Sequence, residues 1–322
     1  MSAAGNFTLS NSLEVPCYPD FIPISIEQKD NLHPRLSLTF DGVSEFTFAG
    51  LYLFRNWYHY RISRFIRRSL LRSGEEGGFI ISGTQHIGEY SGKKFFMTPC
   101  CAPEWDVLES LFETHDYWKN ISPSVLSPVK DDLEKRGVVF SEDRNNFDYL
   151  YNRSDLAELS GKKFHKKKNH VNNFLAAYPN HEQRQMTSAL IPAAKEILKR
   201  WKDDLFLRSG SEGDYKSAEE ALDLFGSLAL RGSIFYIDGK PAAYCMGESI
   251  ARGKMFAIHF EKAIDEYRGI YQYINQAFAA SLPGFFTLIN REQDLGNEGM
   301  RQAKMTYRPC GFVQKHTAIL RK

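Results

Sequence analysis

The chain has 322 residues, 43% hydrophobic and 25% charged, which is long enough for two ordinary domains and excludes a disordered polypeptide. No run approaches the roughly 20 consecutive apolar residues that cross a bilayer, so no membrane-spanning helix is expected. A net charge of +2 excludes a uniformly basic or acidic protein and leaves any binding of polyanions to local clusters.

Residues 1–11 carry neither the basic nor the apolar region of a secretory signal, so a cytoplasmic chain is expected. Cys17, Cys100, Cys101, Cys245 and Cys310 are odd in number and scattered, which suits reduced thiols. The adjacent Cys100 and Cys101 have no second pair and no nearby histidine, and no metal site is expected.

In the first half, 79–82 and 94–98 read as strands joined through the glycine-containing stretch 83–92. Pro103 and the acidic Glu104 and Asp106 open a helix in which Val107, Leu108, Leu111 and Phe112 recur at helical spacing. Residues 138–140 and 147–151 read as two further strands. After Ser154 a helix is expected to run on past Gly161 through GKKFHKKKNH, the strongest basic cluster in the chain. Its apolar stripe is Phe164, Val171, Phe174 and Leu175, with Lys163, Lys166 and Lys167 largely on the other side.

The second half alternates more regularly. Helices are expected over 181–204, with a kink or break at Pro192, and over 216–230. Strands follow at 233–237 and 241–249 around an Asp238-Gly239 turn, a strong hairpin signal. Then come a strand at 254–262, a helix at 269–280, a strand at 285–291, a helix at 298–307 and a last strand at 312–320. This order sets the expected class, α/β with mixed sheets: it is the order of GNAT acyltransferases, and other α/β layouts share it.

Three places could carry chemistry. Arg268-Gly269 joins a strand to a helix, where backbone N–H groups and a cation make an anion site; the same residues also fit an ordinary connection. Glu292 and Asp294 follow the next strand, at the end where open α/β sheets bind ligands, and could recognise or deprotonate an amine, or simply be loop carboxylates and a cap. Arg301, Lys304 and Arg308 share one helix face and could meet an anion or a developing oxyanion, or form an exposed basic face. His86, His115, His259 and His316 read as surface or satisfied core histidines, and the aromatic group around Tyr52 to Tyr60 as core.

The strings FEKAIDEYRGIYQYINQAFA, INREQDLGNEGMRQAKMTYRPCGF, GKKFHKKKNHVNNF and LYLFRNWYHYRIS resemble the family of uncharacterised bacterial proteins similar to the C-terminal domain of phosphatidylglycerol lysyltransferase. The resemblance implies two fused GNAT-like domains, here 1–160, diverged, and 161–322, carrying the site. It implies transfer of an aminoacyl group from aminoacyl-tRNA to an amine or hydroxyl, with Lys304 and Tyr307 matching a K-x-x-Y/F-like active-site stretch. Arg268 and Gly269 occupy the place of the GNAT phosphate loop, but Ile270 and Tyr271 depart from its glycine pattern, which argues against coenzyme A as donor.

The leading expectation is direct acyl transfer without a covalent enzyme intermediate or a tightly bound cofactor. Lys304 would stabilise the oxyanion, Arg268 and Arg301 would hold donor phosphate, Glu292 or Asp294 would serve the acceptor, and Tyr307 the leaving group. Lys163, Lys166 and Lys167 would hold the tRNA. The acceptor could be a small molecule or a lipid headgroup, the latter with the chain peripheral at a membrane. Two alternatives stand beside this: an acyl-coenzyme A-dependent N-acyltransferase, and a non-catalytic module binding RNA or an anionic membrane.

Overall fold

The computed structural model describes residues 14–67, 77–209, 211 and 213–321, so the reading of residues 1–11 falls outside them. The first half supplies β1 (Ile22–Pro23), α1 (Lys29–Leu36), α2 (Phe48–Leu53), α3 (Arg55–Tyr58), β2 (Arg61–Ile66), β3 (Gly77–Thr84) and β4 (Lys94–Met97). It continues with α4 (Trp105–Thr114), β5 (Tyr117–Ile121), α5 (Pro123–Leu126), α6 (Lys130–Lys135) and β6 (Val138–Glu142). Then follow β7 (Asp148–Asn152), α7 (Arg153–Glu158), α8 (His165–Ala177), β8 (His181–Gln185), α9 (Ile191–Ser209) and α10 (Tyr215–Asp223). The chain ends with β9 (Arg231–Ile237), β10 (Lys240–Ile250), β11 (Met255–Ala263), α11 (Ile270–Ser281), β12 (Leu288–Asn290), α12 (Glu298–Met305), β13 (Gly311–Val313) and β14 (His316–Leu320).

These strands form two seven-stranded mixed sheets, in the orders β1-β2-β3-β4-β5-β14-β6 and β13-β7-β12-β11-β10-β9-β8. The expected α/β class, with mixed sheets in two units, is borne out, and the sheets add an exchange. β7 follows β6 in the chain but lies in the second sheet between β12 and β13, and β14 follows β13 but lies in the first between β5 and β6. A division of the chain between residues 160 and 161 therefore does not follow the sheets, because β7 pairs forward and β14 pairs back. One core is shared, with Ile62 and Phe95 of the first sheet and Ile234 and Met246 of the second clustering with Leu36, Leu51, Ile197 and Leu222 of the intervening helices. Each sheet has a second core against its own outer helices.

The exchange has a charged centre. Lys315, just before β14, is fully buried and donates to Asp148, the first residue of β7, at 2.7 Å and to Glu45 at 2.5 Å. Asp148 also accepts from the Ser44 amide and hydroxyl, both at 2.9 Å, and from Asn290 Nδ2 at 3.1 Å. Burial alone would lower the Lys315 pKa, but the attraction of Asp148 and Glu45 outweighs it and holds the ammonium above its ordinary value.

Most expected elements are present, although α10 ends at Asp223, short of the expected 230, and three further differences stand out. Residues 181–185 form an edge strand on β9 rather than the start of a helix, and Pro192 stands in the first turn of α9, where its missing N–H costs nothing. The helix expected to run from Ser154 past Gly161 is broken, because Leu159 (φ 48°) and Gly161 (φ 81°) are left-handed. The final strand is interrupted before Lys315, at the passage from one sheet to the other. Asp238 (φ 49°) and Gly239 (φ 75°) form the expected hairpin turn between β9 and β10. Among the described residues no helix is long and apolar enough to cross a membrane.

Replacing Lys315 with Met would leave Asp148 and Glu45 without their cation in the interior. The expected loss is about 3–5 kcal/mol by urea denaturation. Because each unit holds a strand of the other, wild type and variant should each unfold in one transition by tryptophan fluorescence and circular dichroism; two separate transitions would contradict the exchange.

Candidate active site

β11 and β12 run parallel, and their pairing ends at Ala257 opposite Asn290. β11 continues to Ala263 while β12 stops, so a gap opens at the carboxyl ends of neighbouring parallel strands, where α/β sheets bind ligands. A bulge helps set the course of β11. Met246 pairs with Phe260 and Gly247 with Ile258, leaving His259 as the extra residue. Gly247 is required there, since a Cβ would stand 1.8 Å from the Ala257 carbonyl oxygen.

The bulge aims His259 into the interior, where Nδ1 donates to Glu292 Oε1 (2.7 Å) and Nε2 to Glu248 Oε1 (3.0 Å). With a carboxylate at each nitrogen, the ring is a doubly protonated imidazolium. Burial opposes that charge, but the two carboxylates win and raise its pKa to about 10. His33 Nδ1 of α1 lies 3.8 Å from the other oxygen of Glu248.

Glu292 itself is left-handed (φ 56°), a strained conformation for a residue with a side chain. Its amide donates to Asn290 Oδ1 at 2.7 Å. Lys304 Nζ, on α12, donates to the carbonyl oxygens of Arg291 (2.7 Å), Glu292 (3.1 Å) and Gln293 (2.5 Å). β7 braces the same turn from its other side, exchanging backbone bonds between Tyr149 and residues 291 and 292. Burial, then the nearby Arg291 charge, pushes the Lys304 pKa down to about 8.

Fixed this way, Arg291 points into the gap. Its Nη2 pairs with Glu261 Oε1 of β11 at 3.1 Å, and its guanidinium lies 5.0 Å from the Tyr307 ring centroid. Glu261 Oε2 accepts from Asn275 Nδ2 of α11 at 3.5 Å. Arg291 Nη1 and Asn275 Oδ1, which flank this one carboxylate, are buried without a hydrogen-bond partner among the described residues. A buried donor and a buried acceptor left open on either side of an acid are unusual, and a ligand that satisfied both would bind well. Tyr307 is buried, which raises its pKa to about 12 and keeps its hydroxyl protonated at neutral pH. Lys167 Nζ stands 4.1 Å from the Tyr307 ring centroid.

Thus Lys304, Tyr307 and Lys167 meet around Arg291, while Glu292, next in the chain, turns its carboxylate to His259. The others do not. Asp294 is fully buried and accepts from Arg301 Nε and Nη2 (both 2.9 Å), Tyr149 Oη (2.6 Å) and the Gly296 amide (2.9 Å). Burial opposes the Asp294 charge, yet these donors hold its pKa at about 2, which suits an anchor of the turn and not a proton acceptor. Arg301 is spent on Asp294 and on Asn145 Oδ1 (2.8 Å). Arg268 is exposed, and the helix start beside it is largely satisfied: the amides of Ile270, Gln272 and Tyr273 bond to Tyr267 or Gly269 carbonyls. The His170 carbonyl oxygen also stands 3.4 Å from where a Gly269 Cβ would lie, so an electronegative atom flanks the place a phosphate would take. Lys163 pairs with Asp155 at 2.9 Å, and Lys166 is exposed on α8.

Sequence reasoning gave no role to Arg291, Glu261, Asn275, His259 or Glu248. One signal was available, since His259 and Glu261 interrupt a strand that is otherwise mostly apolar.

The family described as phosphatidylglycerol lysyltransferase, C-terminal, matches residues 38–319, and the chain belongs to it. A conserved protein of unknown function from Bacteroides thetaiotaomicron, solved by crystallography, is 28% identical, with coverage of 94% of this chain and 99% of that one and a TM-score of 0.78. A crystallised C-terminal domain provisionally assigned to a lysylphosphatidylglycerol synthetase of Agrobacterium fabrum shares the fold at 15% identity, with coverage of 92% and 93% and a TM-score of 0.58. An uncharacterized protein of Mycoplasmoides gallisepticum is 24% identical over 181 residues, 55% of this chain and 57% of that protein, so the match spans little more than half of this relative's length.

The His259 charge makes a pH prediction. Its folded pKa of about 10 lies above the ordinary value of about 6.5, so its stabilising contribution is complete below about pH 6.5 and is lost as pH rises through 10. His259→Gln should cost on the order of 3 kcal/mol at pH 7, because Glu248 loses its cation. It should also flatten the decline of the urea midpoint between pH 7 and 10 that the wild type shows.

Proposed function

We propose that this family member is an acyltransferase that takes an aminoacyl group from aminoacyl-tRNA and passes it to an amine or hydroxyl, with the reaction in the gap between β11 and β12. The observation that carries this reading is the open pair Arg291 Nη1 and Asn275 Oδ1 on either side of Glu261. An aminoacyl ester presents a carbonyl oxygen that needs a donor and an ammonium that needs acceptors, and the gap offers both.

In this reading Glu261 and Asn275 hold the ammonium, and Arg291 Nη1 faces the carbonyl oxygen. The acceptor attacks the carbonyl carbon and a tetrahedral oxyanion forms, stabilised by a guanidinium already fixed in place. Glu292 Oε2 has no hydrogen bond among the described residues and takes the acceptor's proton, while Oε1 stays with His259. Collapse of the intermediate breaks the ester bond, and Tyr307, protonated at neutral pH, supplies the proton to the leaving ribose oxygen. Exchange with water resets both groups. Lys304 acts one step back, as the positioning residue that holds the 291–293 turn.

The donor reading draws on α8. Lys167 reaches the gap while Lys162, Lys166 and Lys168 stay exposed on the same helix and its lead-in. Lys162, His165 and Lys168 line a shallow depression of about 410 Å³ beside it. A polyanion lying along this face would deliver its end to Tyr307. The satisfied, carbonyl-flanked start of α11 speaks against a coenzyme A pyrophosphate there.

Filter binding of deacylated tRNA across a salt series tests the donor. Wild type should bind, and Lys166→Ala with Lys168→Ala should weaken binding about tenfold and reduce the salt slope by roughly two phosphates. Arg291→Met should leave tRNA binding unchanged and abolish release of the amino acid from aminoacyl-tRNA to added amines. Absence of tRNA binding together with thermal stabilisation by acetyl-coenzyme A would replace this donor with a thioester. Salt-sensitive binding with no release by wild type would favour a binding module.

A further inference from the structure

The first unit has its own divergent parallel pair. β4 and β5 pair at Phe95 with Tyr117 and Phe96 with Trp118, and the chain segments that continue from them then separate. This pair occupies the same place in its sheet as β11 and β12 in theirs, fourth and fifth when the first sheet is counted from β1 and the second from β8. Beyond its carboxyl ends lies a cavity of about 230 Å³, walled by Pro99 and Cys100 after β4, Ser122 and Ser124 after β5, the 38–43 loop, and Arg35 and Arg252. No step of the proposed transfer uses it.

Its charge is unbalanced. The carboxylate on its wall, Asp41, is engaged by the amide and hydroxyl of Ser124. Arg35 contacts the Phe79 ring at 5.6 Å, and Arg252 lies over Phe40 at 3.5 Å and donates from Nε to the Leu38 carbonyl at 3.1 Å. Both arginines are exposed, and neither guanidinium forms an ion pair among the described residues. Arg252 is also held there against backbone preference. Ala251 (φ 50°) and Arg252 (φ 57°) are both left-handed without being glycine, and the Arg252 amide is tied to the Ser37 carbonyl at 3.0 Å. Strain of this kind persists where the surroundings fix it, and here it carries a cation of the second unit over a loop of the first.

We propose that this cavity is a second ligand site, taking a small phosphate monoester or diester between Arg35 and Arg252. Guanidinium forks suit phosphate oxygens, and both arginines line the cavity. The volume, about 230 Å³, is ample for a phosphate group. The site is connected to the other gap: Gly42, on its wall, accepts from Asn290 Nδ2 at 2.9 Å, next to Arg291. The inference does not rest on the transferase reading, because its test reads binding alone.

The test uses the full chain with inorganic phosphate, glycerol 3-phosphate, and vesicles of phosphatidylglycerol or phosphatidylcholine. Binding is read by calorimetry and by peptide mass spectrometry of cysteine alkylation at pH 9. Glycerol 3-phosphate should slow alkylation of Cys100, which lines the cavity, and leave the exposed Cys17 and Cys310 unchanged. Arg35→Met should weaken binding at least tenfold and Arg252→Met similarly, while Lys166→Ala with Lys168→Ala should not. Protection by phosphatidylglycerol vesicles alone, lost in Arg35→Met, would identify the ester as a lipid headgroup. No protection by any probe, or protection that survives both arginine substitutions, would overturn the site.

Discussion

Lys315 holds the molecule together at the point where its two halves trade strands. A buried ammonium between two carboxylates is costly to assemble, since each ion must leave water, and it is tolerated because the geometry is good and Asp148 has three further donors. What the arrangement secures is register. Asp148 begins β7 and Lys315 immediately precedes β14, so their contact fixes where both exchanged strands enter their sheets. A slip of one residue in either strand would separate the pair and turn the strand's apolar residues outward.

The candidate site inherits this constraint. It sits in the second unit, yet β7, from the first half of the chain, lies against its 291–293 turn. Tyr149 bonds the turn through its backbone and Asp294 through its hydroxyl, and Arg144 and Asn145 reach Asp294 and Arg301 from the same segment. Asn290 joins Asp148 to the loop at Gly42. The position of Arg291 is therefore set from both halves at once, which a simple pair of linked domains would not provide.

The sequence carries the local part of this structure well and the long-range part poorly. Asp238-Gly239 announces its hairpin because the turn needs two residues at positive φ, and the apolar periods of α4 and α11 announce their helices. β8 could not be read the same way. HEQRQ has no apolar alternation, and it becomes a strand only because β9 offers an edge. The exchange is hidden for a related reason: 147–151 and 312–320 read as strands, but nothing local says which sheet receives them. In the site, the windows around Glu292 and Lys304 stand out by composition. The roles inside them depend on a bulge at His259 and a gap beside Glu261, which exist only after the sheet has formed.

The charges in the gap explain why so much structure is committed to one arginine. Arg291 and the lysines at 167 and 304 crowd a partly dry space, and the acids nearest them are already engaged, Glu261 with Arg291 and Asn275 and Glu292 with His259. Burial, and then the Arg291 charge, depresses the pKa of both lysines, which is the mark of positive charge held where solvent screens it weakly. Left alone, this is an unfavourable arrangement that the Lys304 bonds to three carbonyls and the Glu261 pair must sustain. Negative charge developing on a bound carbonyl oxygen would relieve it. The relief is larger for an oxyanion than for the neutral ester, and that difference between transition state and ground state is what lowers a barrier.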